Sequence, residues 1–228
     1  ASTSATVDEP VGTAEYSVSV GSTDSPVTAG ETLTVTAEVE NVGRLAGTQT
    51  VELLAGGDVV DSADGVSIEP GASRTVTLRY EAVPADAGDI SVTVRTANDS
   101  ASESVAVLRP ARLEFGTVEV PDAVPTGETV TVTAEVENVG GVEGEGAVEL
   151  LVGDSVVDTA TVAVDAGETA TAEFSYESPT DTGDLSVTVR TADDSVSESV
   201  AVVAPSLEVA IVEAPDALGA GERGQVTV

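Results

Sequence analysis

Chemistry in this chain starts with carboxylates. Asp and Glu number 41 against 8 basic residues, for a formal net charge of −33. Every cation is Arg; Lys, His and Cys are absent. Ser–His–Asp, Cys–His and lysine Schiff-base mechanisms are therefore excluded. So are zinc sites built from His and Cys, and any disulfide framework. Glycoside hydrolysis needs only paired carboxylates, but such sites sit in clefts with sugar-stacking aromatics. Here aromatics are 2% of the chain and Trp is absent. The residue types point away from an enzyme.

Carboxylates can also hold a hard cation. Calcium takes roughly six to eight oxygen ligands from clustered carboxylates and carbonyls. Asp86 and Asp89 share a Gly-containing loop, and Asp181 and Asp184 repeat the arrangement. Asp193-Asp194 adds an acidic hairpin tip. These are the calcium candidates. No Asp-x-Asp-x-Asp-Gly loop accompanies them, so the solvated acidic loop is the favoured reading. Asn98-Asp99-Ser100 is an N-glycosylation sequon on an expected hairpin tip. Its opposing reading is that Asn98 simply suits a turn. Tyr80 and Tyr176 occupy matching places before Pro-containing loops. Each is expected to pack its ring at the core rim and bond its hydroxyl to nearby backbone. Exposed binding aromatics are the alternative.

Most of these residues come in pairs because the chain repeats itself; the Asn98 sequon does not, since the second copy has Asp193 there. Residues 30–43, GETLTVTAEVENVG, recur almost letter for letter at 127–140, and the pattern begins again at 221–228. Leu33, Val35, Ala37 and Val39 alternate with Thr and Glu. A period of two puts the apolar set on one face, which is a half-buried strand over Glu31 to Glu40. Asn41 and Gly43 are expected to end it, Gly by permitting a positive φ.

Around this strand the other segments alternate in the same way. Ala14 to Val20 reads as a first strand, and Asp24-Ser25-Pro26 as a bend at a sheet edge. Gly47 to Ala55 is a strand, Gly56-Gly57-Asp58 a hairpin turn, and 59–61 and 66–68 short returns. Ser73 to Glu81, Asp89 to Thr96 and Ser102 to Leu108 complete the set. No helical period occurs. The pattern predicts an all-β protein of tandem antiparallel immunoglobulin-like sandwiches, about seven strands each. Residues 1–13 read as a linker, 14–108 as the first sandwich, 109–112 as a second linker, 113–203 as the second sandwich and 204–206 as a third linker. Residues 207–228 open an incomplete third repeat. The two copies are expected to differ only in the loops after Asp61 and after Pro84 and around the linkers. The short Pro-containing linkers predict a semi-rigid array.

The GETxTVTAEVENVG strand, the following VELL strand, the Gly turn and the SVTVRT hairpin resemble the CARDB family, a cell-adhesion-related domain of bacterial and archaeal surface proteins. The resemblance covers both copies and the start of the third. It implies a sandwich in a tandem array on a secreted or surface protein. It offers no catalytic residue to carry over.

Net charge bounds the habitat and the partners. A nucleic-acid partner is not expected, for want of a basic patch. No run reaches the ~18 apolar residues of a membrane span. The acid-rich, Lys-free composition resembles that of extremely halophilic archaea. At about 1 M salt the screening length falls to roughly 3 Å, and acidic neighbours barely repel. High salt is the expected requirement for folding, with calcium the one candidate cofactor. No initiator Met is present, so either a targeting segment was removed or the chain is part of a longer one.

The expected function is a non-catalytic extracellular structural or adhesion module, whose partners are other copies of itself or other surface proteins. A carbohydrate- or calcium-binding accessory module of a secreted enzyme is the alternative. In 207–228, Leu207, Val209, Ile211, Val226 and Val228 are expected on two strands that, left alone, would be exposed. Either the missing strands follow in a longer array, or a neighbouring molecule completes the sheet. Repeated strand addition would build an open filament.

Overall fold

The computed structural model describes residues 12–206. Strand-addition candidates Leu207, Val209, Ile211, Val226 and Val228 lie outside the described residues. In the first copy the strands are β1 (Tyr16–Thr23), β2 (Val27–Thr28), β3 (Thr32–Asn41), β4 (Gly47–Ala55), β5 (Asp58–Ile68), β6 (Ser73–Glu81), β7 (Gly88–Arg95) and β8 (Ser100–Leu108). They form a three-stranded sheet, β1-β3-β6, and a five-stranded sheet, β2-β8-β7-β4-β5. The second copy repeats this with β9 (Leu113–Glu119), β10 (Ala123–Pro125), β11 (Thr129–Asn138), β12 (Gly144–Val152), β13 (Ser155–Val164), β14 (Thr169–Glu177), β15 (Gly183–Arg190) and β16 (Ser195–Val203). Its sheets are β9-β11-β14 and β10-β16-β15-β12-β13. The fold is immunoglobulin-like. Among the described residues no helix is long and apolar enough to cross a membrane.

The alternation in β3 acts as its residue types dictate. Leu33, Val35, Ala37 and Val39 are fully buried, while the intervening Thr and Glu stay toward solvent. In register, Leu33 lies opposite Tyr80, Val35 opposite Leu78 and Ala37 opposite Val76. The facing sheet supplies Val51, Leu53, Val92, Val94 and Val105 to the same core. The second core is built alike, from Val130, Val132, Ala134 and Val136 against Val148, Leu150, Val187 and Val189. Both cores are mainly aliphatic, with Tyr16 buried in the first and Phe174 in the second. Truncating a Leu at such a site costs about 2–5 kcal/mol.

Three departures from the sequence reading have physical causes. First, the sandwiches are not wholly antiparallel. After the cis bond Ser25–Pro26, the chain leaves the first sheet, and β2 pairs parallel with β8. In the second copy β10 pairs parallel with β16. A segment of two or three residues has no period, so its pairing was invisible. Second, residues 59–61 and 66–68 belong to one continuous strand, β5, which bends through register shifts. β5 has 11 residues against 10 in β13, and Gly65 adopts φ 68° beside one shift. The extra residue is taken up as a bulge inside the strand rather than in a loop. Third, the first strand begins at Tyr16 and runs on to Thr23.

Candidate functional site

The strand-ending Asn is the hub of each copy. Asn41 is fully buried. Its Nδ2 donates to Leu45 O at 2.8 Å and to Ile68 O at 2.9 Å. Its Oδ1 accepts from Gly43 N at 3.0 Å and Glu15 N at 3.4 Å. One amide thus ties the end of β3 to β5 and to the residue before β1. Asn138, also fully buried, donates to Val164 O at 2.9 Å. Gly43 is needed for a different reason from the one expected. It is not among the positive-φ glycines. A Cβ there would collide with the backbone of Thr13 and Glu15, whose chain passes against it.

The tip of the β7–β8 hairpin clamps the first strand. Thr96 Oγ1 accepts from Asp99 N at 3.1 Å and Asn98 N at 3.4 Å, which shapes the turn. Asp99 Oδ2 then accepts from Val18 N at 3.0 Å, and Asn98 Oδ1 from Tyr16 N at 3.3 Å. The hydrogen bond from Val18 N, and then that from Ser100 N, hold the Asp99 carboxyl below its usual range. In the second copy Thr191 plays the part of Thr96. Asp193 Oδ2 accepts from Leu113 N at 3.0 Å and Asp194 Oδ2 from Phe115 N at 2.9 Å. Each tip borders an open hollow. One, of about 300 Å³, is lined by Arg95, Thr96, Asn98, Asp99 and Ser100. The other, of about 330 Å³, is lined by Arg190 to Ser195. The arrangement suits polar contacts at the surface, while its carboxylates work on the strand beneath.

The calcium candidates are placed as follows. Asp86 lies in a 3-10 turn, Pro84–Asp86. Its Oδ2 accepts from the Tyr80 hydroxyl at 2.5 Å and from Val83 N at 2.9 Å. Asp89 is exposed on β7, opposite Ala106. Asp181 and Asp184 are exposed at the matching loop and strand start. Among the described residues, no group of three or more Asp, Glu, His or Cys side chains is placed to hold a metal ion. Tyr80 and Tyr176 pack against their cores. The Tyr80 hydroxyl, however, finds a carboxylate rather than the backbone acceptor expected. That hydrogen bond, together with burial and the Asp86 charge, pushes the Tyr80 pKa up to about 12.

A model of the CARDB family matches residues 13–104 and again 111–201. The chain belongs to the CARDB family. CARDB domains are non-catalytic modules with an immunoglobulin-like fold, often found in extracellular proteins. No curated protein matches the chain. A CARDB domain from Pyrococcus furiosus, crystallised in complex with di-metal ions, is 18% identical and has a TM-score of 0.37, over 42% of this chain and 94% of that one. The solution structure of that CARDB domain gives 19% identity and a TM-score of 0.36, over 41% and 94%. Red sea bream transglutaminase is 16% identical with a TM-score of 0.34, over 85% of this chain and 32% of the enzyme.

Each CARDB copy also carries an ion pair that the sequence reading missed. Arg95 Nε and Nη2 reach Glu52 Oε2 at 3.0 and 2.6 Å; Arg190 and Glu149 repeat those distances. Glu52 and Arg95 are direct cross-strand partners, as are Glu149 and Arg190. The signal was available: both residues recur at the same places in the VELL and VTVRT strands.

Proposed function

We propose that this chain is a non-catalytic structural module of an extracellular, salt-adapted protein, which spaces or joins components at a cell surface through tandem CARDB domains. The observation carrying the reading is the duplication itself. Two CARDB copies use the same Asn hub, the same hairpin-tip clamp and the same Glu–Arg pair. Their shared, distinctive residues therefore serve the scaffold. What varies between them is loop length, one strand bulge and a few edge side chains, as suits repeated spacers. The composition supports an organism of high-salt habitat resembling the halophilic archaea, since −33 charges are tolerable where screening is short. Its partners are other copies of the chain or other surface proteins, through adhesion or strand addition.

The test has two parts. Protease shaving and immunolabelling of intact source cells in high salt should find the chain on the outside. Its deletion should weaken cell–cell or envelope cohesion. A chain confined to the cytosol would defeat the reading. Saturable binding on a glycan array, or to calcium by calorimetry in high salt, would replace it with an accessory binding module. Circular dichroism from about 3 M down to 0.05 M NaCl tests the salt adaptation. The strand signal should be lost as screening lengthens, and an unchanged cooperative melt at low salt would remove that part.

A further inference from the structure

We propose that Asn98 carries an N-linked glycan, an inference that rests on the extracellular placement proposed above. The chain has three Asn residues: 41, 98 and 138. Two of them are explained by the fold. Asn41 and Asn138 are fully buried, and each donates through Nδ2 to a main-chain carbonyl. A carboxylate cannot donate, so an amide is required there. Asn98 differs on every count. It is exposed at the β7–β8 tip, and only its Oδ1 is used, accepting from Tyr16 N. In the second copy Asp193 does the same work with a carboxylate oxygen, accepting from Leu113 N. The structural task at this position thus needs an oxygen and no amide nitrogen. In a chain with 41 acidic residues, an amide stands where a carboxylate serves equally. Its Nδ2 has no protein partner among the described residues. The hydroxyl residue that a sequon requires, Ser100, is exposed two positions on. A hairpin tip is also where the least structure must open for a transferase to grip the segment.

The chemistry is compatible with the clamp. Asn98 Nδ2 attacks C1 of a saccharide carried on a polyprenol phosphate. The N–C1 bond forms as the C1–O bond to phosphate breaks. One amide proton is released, and the lipid phosphate leaves with the bonding pair. The product is still an amide, so Oδ1 continues to accept from Tyr16 N.

Native chain purified from its source in high salt should give a peptide spanning residue 98 that is heavier by saccharide units. Three variants expressed in the same host sharpen the result. Asn98→Asp and Ser100→Ala should return the peptide to its bare mass, and Ser100→Thr should keep the increment. Asn98→Asp copies the second domain, so its circular dichroism and melting temperature should stay those of deglycosylated chain. A native peptide at its unmodified mass, or an increment surviving Asn98→Asp, overturns the inference. Protease shaving of the same cells separates the two readings. Exposed chain with bare Asn98 defeats only the glycan, whereas internal chain with bare Asn98 defeats both.

Discussion

The two sandwiches share strands and hubs but lock the loop after their sixth strand differently. In the first, Ala82 is buried at the strand's end, and the loop is held from outside by Tyr80 and Val83 on Asp86. In the second, the matching residue is Ser178. Its hydroxyl donates to Pro125 O at 2.7 Å and accepts from Glu128 N at 3.1 Å. This loop is one residue shorter in the second copy and has no 3-10 turn, and its lock, Ser178, is buried. A second exchange lies under the first strand. Tyr16 of the first copy corresponds to Leu113, and Gln49 to Gly146. Tyr16 Oη and Gln49 Nε2 are buried without a protein partner. A Cβ on Gly47 would strike that hydroxyl, and a Cβ on Gly146 would lie 2.8 Å from Leu113 Cδ1. Each copy thus spends a glycine on the bulk of its own first-strand residue. The comparison teaches that the backbone is common, while side-chain solutions at loops and edges are local and exchangeable.

The largest expected effect tests what is common. Asn41→Ala takes the Nδ2 donor from the buried Ile68 carbonyl and from the more exposed Leu45 carbonyl, and should cost about 2–3 kcal/mol, a large share of a marginal domain's stability. Asn138→Ala should do the same to the second sandwich. Hydrogen exchange in high salt, read separately over residues 14–108 and 113–203, checks both. A mild effect at either hub would break the equivalence.

Next come the locks. Ser178→Ala removes the hydroxyl's two bonds and leaves Glu128 N and Pro125 O only their bond to each other at 3.2 Å; it should cost about 1 kcal/mol, read as reduced protection at Glu128. Tyr80→Phe should cost about 1 kcal/mol or less, because that lock lies at the rim. Its pH dependence is diagnostic. The folded state holds the Tyr80 proton more tightly than the unfolded state does. The bond's contribution is therefore complete below pH 10, the ordinary tyrosine value, and is lost as pH rises through about 12. Ultraviolet titration of tyrosinate should show this late component, and both Tyr80→Phe and Asp86→Asn should remove it.

Acid should act on the hairpin-tip clamp. The Asp99 carboxyl is held below its usual range, so its contribution is present above the unfolded value and lost as pH falls through the folded one. Protection at Val18 N, taken relative to the intrinsic exchange rate at each pH, should fall on acidification, and Asp99→Asn should abolish that dependence. Smallest are the Glu–Arg pairs. Glu52→Gln and Glu149→Gln should each cost less than about 1 kcal/mol, equally in the two copies, and less still in molar salt.

How much of this was legible follows from range. Leu33 to Val39 disclosed their strand because alternation is written in neighbouring letters. Val27 and Thr28 did not disclose their parallel pairing, since two residues carry no period. The role of Asn41 was hidden because its partner Ile68 is 27 positions away. The sequence did show Asn41 at a strand end, but not that its amide would be wholly enclosed. Asp86 stood among the calcium candidates, with a solvated acidic loop as the favoured reading, and neither showed its bond to the hydroxyl of Tyr80, six positions earlier. The Asp99 clamp was equally silent, since Val18 lies 81 positions from it. Carboxylates advertise their charge in a sequence and conceal their partners.

The parallel pairing of β2 with β8, and of β10 with β16, has a mechanical consequence. In each copy the entering chain meets the departing chain side by side, running in the same direction. A pull on the two ends of a sandwich therefore drags these strands past each other along their length. Val27 and Thr28 slide against Val107 and Leu108, with Ala29 N held by Leu108 O at 2.9 Å. In the second copy Thr126 N is held by Val203 O at the same distance. Shear loads all of these hydrogen bonds together, whereas a hairpin pulled from its open end yields them one at a time. A tether with this geometry gives way late and abruptly, and until then it passes tension on rather than lengthening.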